Sequence, residues 1–511
     1  MTVPPQGKSR VGWFVQTLNV SVASVRYRCF HMALALSARG VDSRVYTEAS
    51  ALIADMAELD AVVIVKRLDK RVPEVAAAAA SAGKRVFLDL CDDLLSEEYR
   101  SEGHEVFRAV FETISPLLDG LVTTNPAMSD RILGYGAGAP PITEIPDLAE
   151  TREMMAEVTA YAARLTGQPA AASPPPVSPA ASKLGVWRWI RSLFAGLGSP
   201  SRQGPKQVVW FGNHGAPHSN FGMLSLIAAA PALRAVHQRT PLELVVVSNS
   251  QAKFDAFIAK LGVPARYVPW TLESVYEALE TADAALLTNG DDDFSAVKSA
   301  NRALQALACG APVVATSNPA LRDIGDCVVL DDFAGGLATY LRDRRAASAA
   351  VARGRALVRQ RFDSRAAGAA WEALLRGEAA GARTDPGPPR PEETSGRVLF
   401  LVDRTKDLEA IGPLVDQARA ASERPMIMLT QEAGEDAGPV IEFLLRERLI
   451  PTMASAAELQ KNDARWLRAA DRVVIAAQGD PDAPLSEPAD ALRGLAEANG
   501  VPVQIAGRPG T

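Results

Sequence analysis

The chain has few cysteines and no long run of apolar residues. The four cysteines, Cys29, Cys91, Cys309 and Cys327, are far apart and form no CxxC pair. This pattern excludes a disulfide-rich secreted domain and a cysteine zinc site, and it predicts a reducing compartment. No apolar run is long enough to cross a bilayer, and the opening MTVPPQGKSR lacks the apolar core of a signal peptide. We therefore predict a cytoplasmic protein.

An excess of basic residues is also missing. Lys and Arg total 54 against 60 Asp and Glu, which leaves a formal net charge of −6. A general nucleic-acid binder needs a basic face, so this balance argues against that class. With 48% hydrophobic and 22% charged residues, the composition is typical of a globular protein. A length of 511 residues exceeds one ordinary core and predicts two to four domains.

Apolar runs alternate with helical stretches in the first predicted domain, residues 1–165. The predicted strands are 11–16, 61–65, 85–90 and 120–124, and the predicted helices are 26–39, 73–82 and 105–118. Alternation of this kind predicts an α/β fold, in which a parallel sheet carries helices on both faces.

Two further α/β units follow, at residues 206–377 and 397–511. In the first of them the predicted strands are 207–212, 242–248, 265–270, 284–288, 312–316 and 327–330, and the predicted helices are 221–236, 251–261, 272–281, 299–308 and 335–375. In the second the predicted strands are 397–403, 425–430, 472–477 and 502–507, with helices at 442–448 and 488–500. This last unit has no glycine-rich phosphate loop and is predicted to be an accessory domain.

Linkers rich in proline and alanine separate the three units, at 166–205 and 378–396. Within the first linker, the stretch 184–198 places Trp187, Ile190 and Phe194 at helical spacing, beside basic residues. It is either a short amphipathic helix that rests on the inner face of a membrane or a helix that docks on the protein itself.

A polar edge on one helix of the second domain is the most informative feature. In a helix over 298–309, with Ser299 as the N-cap, Lys298, Asn301, Arg302 and Gln305 fall in one narrow sector. Helix N-termini already carry partial positive charge, so two added cations destabilise the helix alone. An anion would supply the missing charge, and a diphosphate suits the arrangement. The alternative is a solvated helix edge.

The segment KSANRALQALACGAPVVA, 298–315, resembles the donor-binding helix and following strand of GT-B glycosyltransferases, particularly family-4-like (group 1) members. Weaker similarities lie at QVVWFGN (207–213), ADAALLTN (282–289) and GDCVVLDD (325–332) in the second domain. The first domain adds 24–40 and the DLCDD stretch of 86–95, so the resemblance covers about 11–375. It implies two Rossmann-like domains that face a cleft, with a nucleotide-sugar bound mainly to the second domain.

The resemblance also implies roles for particular residues. Lys298 and Arg302 would stabilise charge on the leaving nucleotide as the catalytic cations. The donor-binding set would be Gly212, Asn213, His214, Asn289, Asn301 and Gln305. The acceptor-side set would be Arg26, Arg28, Asp89 and Asp92. No cofactor and no metal ion would be needed.

Several positions depart from the family pattern. The family usually has Glu where Gln305 stands, and an acidic residue at the position of Val297. Asp291, Asp292 and Asp293 lie nearby and either substitute for that acid or form a polar loop. After the glycine turn, where members commonly have Arg and Lys, this chain has His214 and His218, which either contact phosphate or lie on the surface.

The first domain contains a group of aspartates and a pair of arginines, each of which has more than one possible role. Asp89, Asp92 and Asp93 could bind a divalent cation, act as a general base or cap the next helix. Since GT-B enzymes generally need no metal, we favour one capping Asp and one acceptor-side Asp. Arg26 and Arg28 would point about 200° apart on a helix, so one could reach the cleft and bind an acidic acceptor while the other faces outward.

These features predict a glycosyltransferase (a hexosyltransferase-like enzyme) in cell-surface polysaccharide or glycan assembly, and the resemblance implies that it retains anomeric configuration. Two alternatives remain open. One is a catalytically inactive nucleotide-sugar-binding or scaffold protein, which Gln305 and Val297 favour. The other is a nucleotide-sugar epimerase of the same architecture.

Overall fold

The structure is a computed structural model that describes residues 9–96, 102–135, 140–167, 204–216, 221–290, 292–378, 383, 396–476 and 484–506. Nearly all of both predicted linkers, including the amphipathic stretch 184–198, lies outside the described residues, as do His218 and Asp291. In the parts of the chain that the structure describes, no helix combines the length and apolar character needed to cross a membrane.

The first domain is built on a six-stranded sheet in which all paired strands run parallel, in the order β2-β1-β3-β4-β5-β6. The strands are β1 Arg10–Phe14, β2 Asp42–Tyr46, β3 Ala61–Val65, β4 Arg85–Leu90, β5 Gly120–Thr123 and β6 Ile142–Glu144. The four predicted strands are present. The two edge strands, β2 and β6, were not predicted, because most of their residues are only half-buried and the polar residues among them interrupt any apolar run.

Helices cover both faces of this sheet. They are α1 Ala23–Val25, α2 His31–Ser37, α3 Ala49–Ala54, α4 Val72–Ser81, α5 Glu102–Ile114, α6 Pro126–Leu133 and α7 Arg152–Thr166. The predicted helix 26–39 is interrupted, since Arg26–Phe30 forms a π-helical turn between α1 and α2. Such turns are often found at functional sites, and this one carries two of the predicted site residues.

The second domain repeats the design with a parallel sheet in the order β12-β11-β10-β7-β8-β9, which is the Rossmann strand order. The strands are β7 Lys206–Phe211, β8 Leu242–Ser248, β9 Ala265–Pro269, β10 Ala284–Leu287, β11 Val313–Ala315 and β12 Val328–Leu330. The α-helices are α8 Ala230–His237, α9 Gln251–Ala256, α10 Leu272–Thr281, α11 Asp293–Ala296, α12 Asn301–Cys309, α13 Pro319–Arg322, α14 Phe333–Arg342, α15 Arg344–Arg361 and α16 Ser364–Arg376. The predicted stretch 335–375 is therefore three helices.

The last of these helices, α16, returns to the first domain and packs on α2. Trp371 is fully buried there, with its ring 5.1 Å from that of Trp13 in an edge-to-face arrangement. Gly368 fits against the backbone of Ala35, where a Cβ atom would lie 3.0 Å from the carbonyl oxygen. The predicted second domain, 206–377, thus includes α16, although the buried contacts of α16 are with the first domain.

The third domain has a five-stranded parallel sheet in the order β15-β14-β13-β16-β17. Its strands are β13 Arg397–Val402, β14 Arg424–Leu429, β15 Thr452–Met453, β16 Arg472–Ala476 and β17 Val503–Ala506, and its α-helices are α17 Asp407–Ala420, α18 Ala437–Glu447, α19 Ala456–Leu459 and α20 Glu487–Ala498. Apolar residues of this domain, such as Val440 and Ile441, share one buried cluster with Leu226 and Leu233 of the second domain. The two domains are therefore joined by a continuous core.

Candidate functional site

A cavity of about 510 Å³ lies between the first two domains. Its lining comes from segments that follow the carboxyl ends of strands in both sheets, among them Lys66 after β3, Asp92 after β4, Asn213 after β7 and Asn289 after β10. Open parallel sheets bind ligands at this edge. The cavity is therefore the candidate site on the grounds of topology alone.

Ten of the twelve residues predicted for the site line this cavity. They are Arg26, Arg28, Asp92, Gly212, Asn213, Asn289, Lys298, Asn301, Arg302 and Gln305. The other two lie just outside the lining. Asp89 is fully buried behind Arg28, and the imidazole of His214 is half-buried beside the glycine turn.

Lys298 faces the cavity and bridges the two domains. Its Nζ donates to Asp92 Oδ1 at 2.5 Å, across 206 residues of sequence. The same ammonium lies 3.9 Å from the ring centroid of Phe294 and 5.0 Å from that of Phe221, so it makes cation–π contacts as well. Asp92 is also bound by the Nζ of Lys66. Lys298 is thus directed into the cleft, but it already has a carboxylate partner from the first domain.

The two cations also change the pKa of Asp92. Burial by itself would raise the pKa of the carboxyl, but the charges of Lys298 and Lys66 outweigh burial and hold the pKa well below its usual range. Asp92 is therefore an anion at any pH near neutrality, with two cations bound to it. An incoming anion would have to compete with Asp92 for Lys298.

Arg302 differs from Lys298 in its surroundings. Its guanidinium donates to the Phe211 carbonyl at 3.3 Å and to the side-chain oxygen of Asn289, and it makes no ion pair with a carboxylate of the described residues. Burial lowers the pKa of Arg302 to about 10, which still leaves it charged at neutral pH. Arg302 is partly buried, and a partly desolvated guanidinium without a carboxylate costs free energy that an anion in the cavity would offset.

Helix α12 positions Arg302 and differs in detail from the prediction. The helix begins at Asn301 after Ala300, which makes no side-chain cap. The prediction of Ser299 as the N-cap is wrong, because the Ser299 hydroxyl instead donates to Asp147 Oδ2 at 2.6 Å across the domain interface. Lys298 accordingly precedes the helix. The predicted polar edge is present, with Asn301 and Gln305 lining the cavity beside Arg302.

The glycine turn after β7 approaches the same guanidinium closely. A Cβ atom on Gly212 would lie 3.2 Å from Arg302 Nη1, so a larger residue there would displace the guanidinium slightly. At the far side of the turn, a Cβ on Gly222 (φ 105°) would lie 2.5 Å from the Gly215 nitrogen. The backbone N–H of His214 donates to Asn249 at 2.9 Å. Burial, together with the charge of Lys253, lowers the pKa of His214 to about 4, so its imidazole is neutral.

The predicted pair Arg26 and Arg28 does not divide between the cleft and the exterior. That prediction is wrong, because both arginines are buried, at 5% and 0% exposure, in the π-helical turn. Arg28 makes a two-pronged pair with Asp89 and also contacts Asp147 at 3.2 Å. Burial raises the pKa of Asp89 to about 6, although Arg28 opposes the change. Both ends of Arg28 are therefore occupied by carboxylates.

Arg26 belongs to a second buried network, centred on Glu150. The carboxylate accepts from Arg26 Nε at 2.8 Å, from Tyr276 Oη at 2.8 Å and is 2.8 Å from His31 Nε2. Burial would raise the pKa of Glu150, but these partners outweigh it and lower the pKa. Since Tyr276 lies in the second domain, Glu150 ties the two domains together beneath the cavity.

The aspartates predicted as caps or substitute acids have other partners. Asp93 accepts from the backbone of Leu95 at 3.2 Å and from Tyr135 Oη at 2.7 Å, so neither it nor Asp92 caps an α-helix. Asp292 is fully buried and caps α11, and Asp293 pairs with Arg131 of the first domain at 3.0 Å. Neither of the latter two lines the cavity.

The cavity lining also includes polar residues that were not predicted for the site, among them Lys66, Asp147 and Ser299. Lys66 follows a fully buried strand and has a left-handed backbone (φ 44°), which is uncommon for a non-glycine residue and often marks a functional position. The sequence signal that could have identified Lys66 is its position directly after the apolar run 61–65. Nothing in the local pattern singles out Asp147.

Metal binding is not indicated by the described part of the chain. Among those residues, no group of three or more His, Cys, Asp or Glu side chains could hold a metal ion. The four cysteines are free thiols. Independence from metals and cofactors stays a prediction for experiment.

The comparisons with known proteins agree with this geometry. The family model for "Glycosyl transferases group 1" matches residues 205–353, which contain the β7 turn and α12. The structure of Anabaena Alr3699/HepE in complex with UDP-glucose is similar to this chain, with a TM-score of 0.50 and 15% identity over 72% of this chain and 99% of that one. At that identity the likeness shows the fold alone. No curated protein matches the chain in sequence.

Two other solved structures are more distant. An E. coli protein described as trehalose-6-phosphate bound with UDP-2-fluoro glucose has 13% identity and a TM-score of 0.41, over 71% of this chain and 84% of that one. TarM has 10% identity and a TM-score of 0.42, over 64% of this chain and 58% of that one.

Proposed function

We propose that the chain transfers a sugar from a nucleoside-diphosphate sugar bound in the cleft to an acceptor hydroxyl, because residues 205–353 match the family model for glycosyl transferases group 1 and the fold is similar to that of a UDP-glucose complex. The observation that carries the proposal is Arg302, a guanidinium on the cavity wall that donates to a carbonyl oxygen and an amide oxygen. A diphosphate would bring the negative charge that this position lacks, in a geometry that guanidinium binds well.

The chemistry that the site must supply is electrostatic. When the bond between sugar and diphosphate breaks, negative charge builds on the leaving nucleotide, and fixed cations beside it lower the barrier. Arg302 is held by the Phe211 carbonyl and Asn289, so it needs little reorganisation. Lys298 would join it after exchanging Asp92 for a phosphate oxygen. The roles of both residues are part of the proposal.

The rest of the donor would be bound by the second-domain wall. Trp270, Leu272 and Val275 give the lining an apolar part suited to a nucleobase. Asn301 and Gln305 would donate to or accept from sugar hydroxyls. Gln305 is buried and uncharged, so it would discriminate hydroxyl geometry without binding a cation.

On the acceptor side, we propose a neutral hydroxyl group as the nucleophile. Arg26 and Arg28 form ion pairs with buried carboxylates, so their charges are already neutralised and would not bind an acidic acceptor. They and Asp89 would instead fix the wall against which the acceptor lies, and Asp92 is the acceptor-side carboxylate at the cavity. Retention of anomeric configuration and a hexosyl donor are further parts of the proposal, and they rest on the resemblance of 298–315.

Donor binding tests the proposal directly. Isothermal titration of the full chain with UDP, GDP, ADP and their sugars should find at least one ligand that binds. Arg302→Met keeps side-chain bulk and removes the charge, and it should weaken that binding about ten- to hundredfold, as expected for a lost charged hydrogen bond. Arg322→Ala is the matched control, since Arg322 is exposed in the same domain and lies outside the cavity lining.

The outcomes separate the competing functions. Binding of no nucleotide, or equal binding by the wild type and Arg302→Met, would refute the donor site. Binding with neither donor hydrolysis nor sugar transfer would favour a nucleotide-sugar-binding scaffold. Conversion of the donor to its epimer without an acceptor would identify an epimerase.

The cellular setting is a separate part of the proposal. We place the reaction in cytoplasmic assembly of a surface polysaccharide or glycan, with peripheral membrane contact through 184–198, on the basis of the amphipathic pattern in that stretch. Flotation with vesicles that contain anionic lipid should recover the full chain, and deletion of 184–198 should abolish recovery. The membrane contact would be refuted if the deletion variant still floats with the vesicles, or if the wild type does not float. Neither result would bear on the donor site.

A further inference from the structure

The third domain packs on the second domain beside the glycine turn, whose described residues are 212–216 and 221–222. Helix α18 lies against the 3-10 helix Met223–Ala229, which begins directly after the turn. The segment after β14 lies against α9, which follows β8. Apolar residues of these elements belong to one buried cluster. The function proposed for the cleft gives this interface no role.

The contact with α9 is too close to admit a side chain on the third-domain side. A Cβ atom on Gly434 would lie 2.8 Å from Ala256 Cβ and 3.0 Å from the Ala256 carbonyl oxygen. The Gly434 carbonyl also accepts from Lys260 Nζ, and at the rim of the interface Arg234 pairs with Glu442 at 2.7 Å. The interface therefore has no spare room at Gly434.

Helix α9 is tied to the glycine turn through the residues that precede it. Asn249 lines the cavity and accepts from the backbone N–H of His214 in the turn at 2.9 Å. Burial lowers the pKa of His214 and that of Lys253 on α9, and the charge of Glu458 in the third domain raises both. The third domain is thus linked to this side of the turn by packing and by charge.

The 3-10 helix is tied to the other end of the turn. Its Ser225 hydroxyl donates to the Gly222 carbonyl at 2.6 Å and lies 2.6 Å from the Thr288 hydroxyl. Thr288 directly precedes Asn289, whose side-chain oxygen accepts from Arg302. A displacement of this helix by α18 would therefore reach both the turn and the support of Arg302.

We propose that the third domain positions the glycine turn of the donor site, because it packs on the two elements to which the turn is tied. Protein interiors are close-packed, so a displacement at such an interface passes to the groups behind it. Gly434 and its partner Lys260 would be positioning residues, which act on a donor through the turn without touching the donor. The effect on donor affinity rests on the function proposed for the cleft, whereas the coupling between the third domain and the turn does not.

Gly434→Ala tests the coupling in the ligand-free, full-length protein. The added methyl group overpacks the interface against Ala256 and should displace α9. Hydrogen–deuterium exchange, followed by mass spectrometry, should become about fivefold faster or more in peptides from 207–216 and 221–229. Gly438→Ala is the matched control, because a Cβ atom on this glycine of α18 meets nothing within 4 Å, and its exchange in these peptides should equal that of the wild type.

Donor binding tests the functional consequence. Calorimetric titration uses UDP-glucose or, if the wild type does not bind it, the GDP- or ADP-sugar that the wild type binds. Gly434→Ala should weaken this binding about fivefold or more. Lys260→Met removes the hydrogen bond to Gly434 without adding volume, so it should weaken binding in the same direction and replaces Gly434→Ala if that variant does not fold.

Two further variants separate positioning from a general loss of stability. Leu492→Ala opens a cavity in the buried cluster on the other face of the third-domain sheet, so it should lower the Tm and leave both donor affinity and exchange in 207–229 unchanged. Ala256→Gly in the Gly434→Ala protein removes the methyl group that the new one would meet, so it should restore part of the lost affinity.

The proposal is overturned if Gly434→Ala and Lys260→Met both match the wild type in exchange and donor affinity, or if Leu492→Ala changes both as much as Gly434→Ala does. Faster exchange with unchanged donor affinity would also overturn it, since the turn would then not determine binding. Faster exchange in a protein whose wild type binds no nucleotide would support the coupling and count only against the function proposed for the cleft.

Discussion

The bridge from Asp92 to Lys298 allows a prediction with a defined sign. Asp92→Asn keeps the size of the side chain and removes the anion that occupies Lys298 Nζ at 2.5 Å. If the donor diphosphate must displace Asp92, the substitution should tighten donor binding. If Asp92 instead holds Lys298 in place for the donor, the same substitution should weaken it.

The size of the effect follows from the environment of the pair. Hydrogen bonds between charged groups contribute about 1.5–3 kcal/mol. The Lys298 and Asp92 side chains are 28% and 13% exposed, so water screens the pair in part, and Lys66 continues to bind residue 92. We expect that displacing Asp92 from Lys298 costs the donor about 1–2 kcal/mol of binding free energy. Without that cost, Asp92→Asn should bind the donor roughly five- to thirtyfold more tightly. The same substitution should lower the free energy of unfolding by a similar amount.

The pH dependence of this stability loss has a fixed direction. The folded-state pKa of Asp92 is depressed, so its stabilising contribution is complete above the unfolded pKa of about 3.9 and is lost as the pH falls below it. Urea unfolding of the wild type and Asp92→Asn should differ by a constant amount between pH 5 and 8. The difference should shrink below about pH 4.

Titration with the donor identified by the binding screen decides between the two roles. Lys66→Met, which leaves Asp92 to Lys298 alone, should weaken donor binding and so act in the opposite direction. Asp55→Asn is the control, a carboxylate paired with Arg44 at 3.0 Å outside the cavity. Weaker donor binding by Asp92→Asn would refute the competition between Asp92 and the diphosphate.

Four further predictions address the frame of the site and its chemistry. Glu150→Gln should lower the free energy of unfolding by about 1–3 kcal/mol in urea at pH 7 and by less below pH 4, because its lowered pKa stabilises the folded state only above the unfolded value near 4.3; an equal loss at both pH values would contradict this. Trp371→Ala should cost about 3–5 kcal/mol by opening a cavity against Trp13, and a loss below 1 kcal/mol would mean that α16 is not part of the first core. Lys253→Met should stabilise the protein by about 1–3 kcal/mol at pH 6, because burial lowers the pKa of Lys253 to about 8 although the charge of Glu458 raises it. The gain in stability should fade as the pH rises through about 8 toward about 10.5. A gain that grows with pH would refute this prediction. EDTA should leave turnover unchanged, whereas activity lost to EDTA and restored by Mn²⁺ would overturn a metal-independent mechanism.

Sequence periodicity predicted most of the internal strands and the side of α12 that faces the cavity. Buried parallel strands such as 61–65 and 85–90 are continuous apolar runs, which a local pattern shows directly. The polar sector of 298–305 was recognisable for a similar reason, since side chains three and four residues apart share a helix face. The edge strands β2, β6 and β15 escaped because two to five partly polar residues carry little signal.

Local pattern by itself determined that the chain has three α/β units, that a parallel sheet underlies each of them, and that cations gather before and within α12. Only the tertiary structure decided which cations have partners. Asp92 meets Lys298 across 206 residues, and Arg28 meets Asp89 and Asp147 across 61 and 119. Helix and strand periods report which side of an element is buried, but the choice of ion-pair partner depends on how separate elements pack. That choice leaves Arg28 neutralised, and it leaves Arg302 facing the cavity with no carboxylate partner among the described residues.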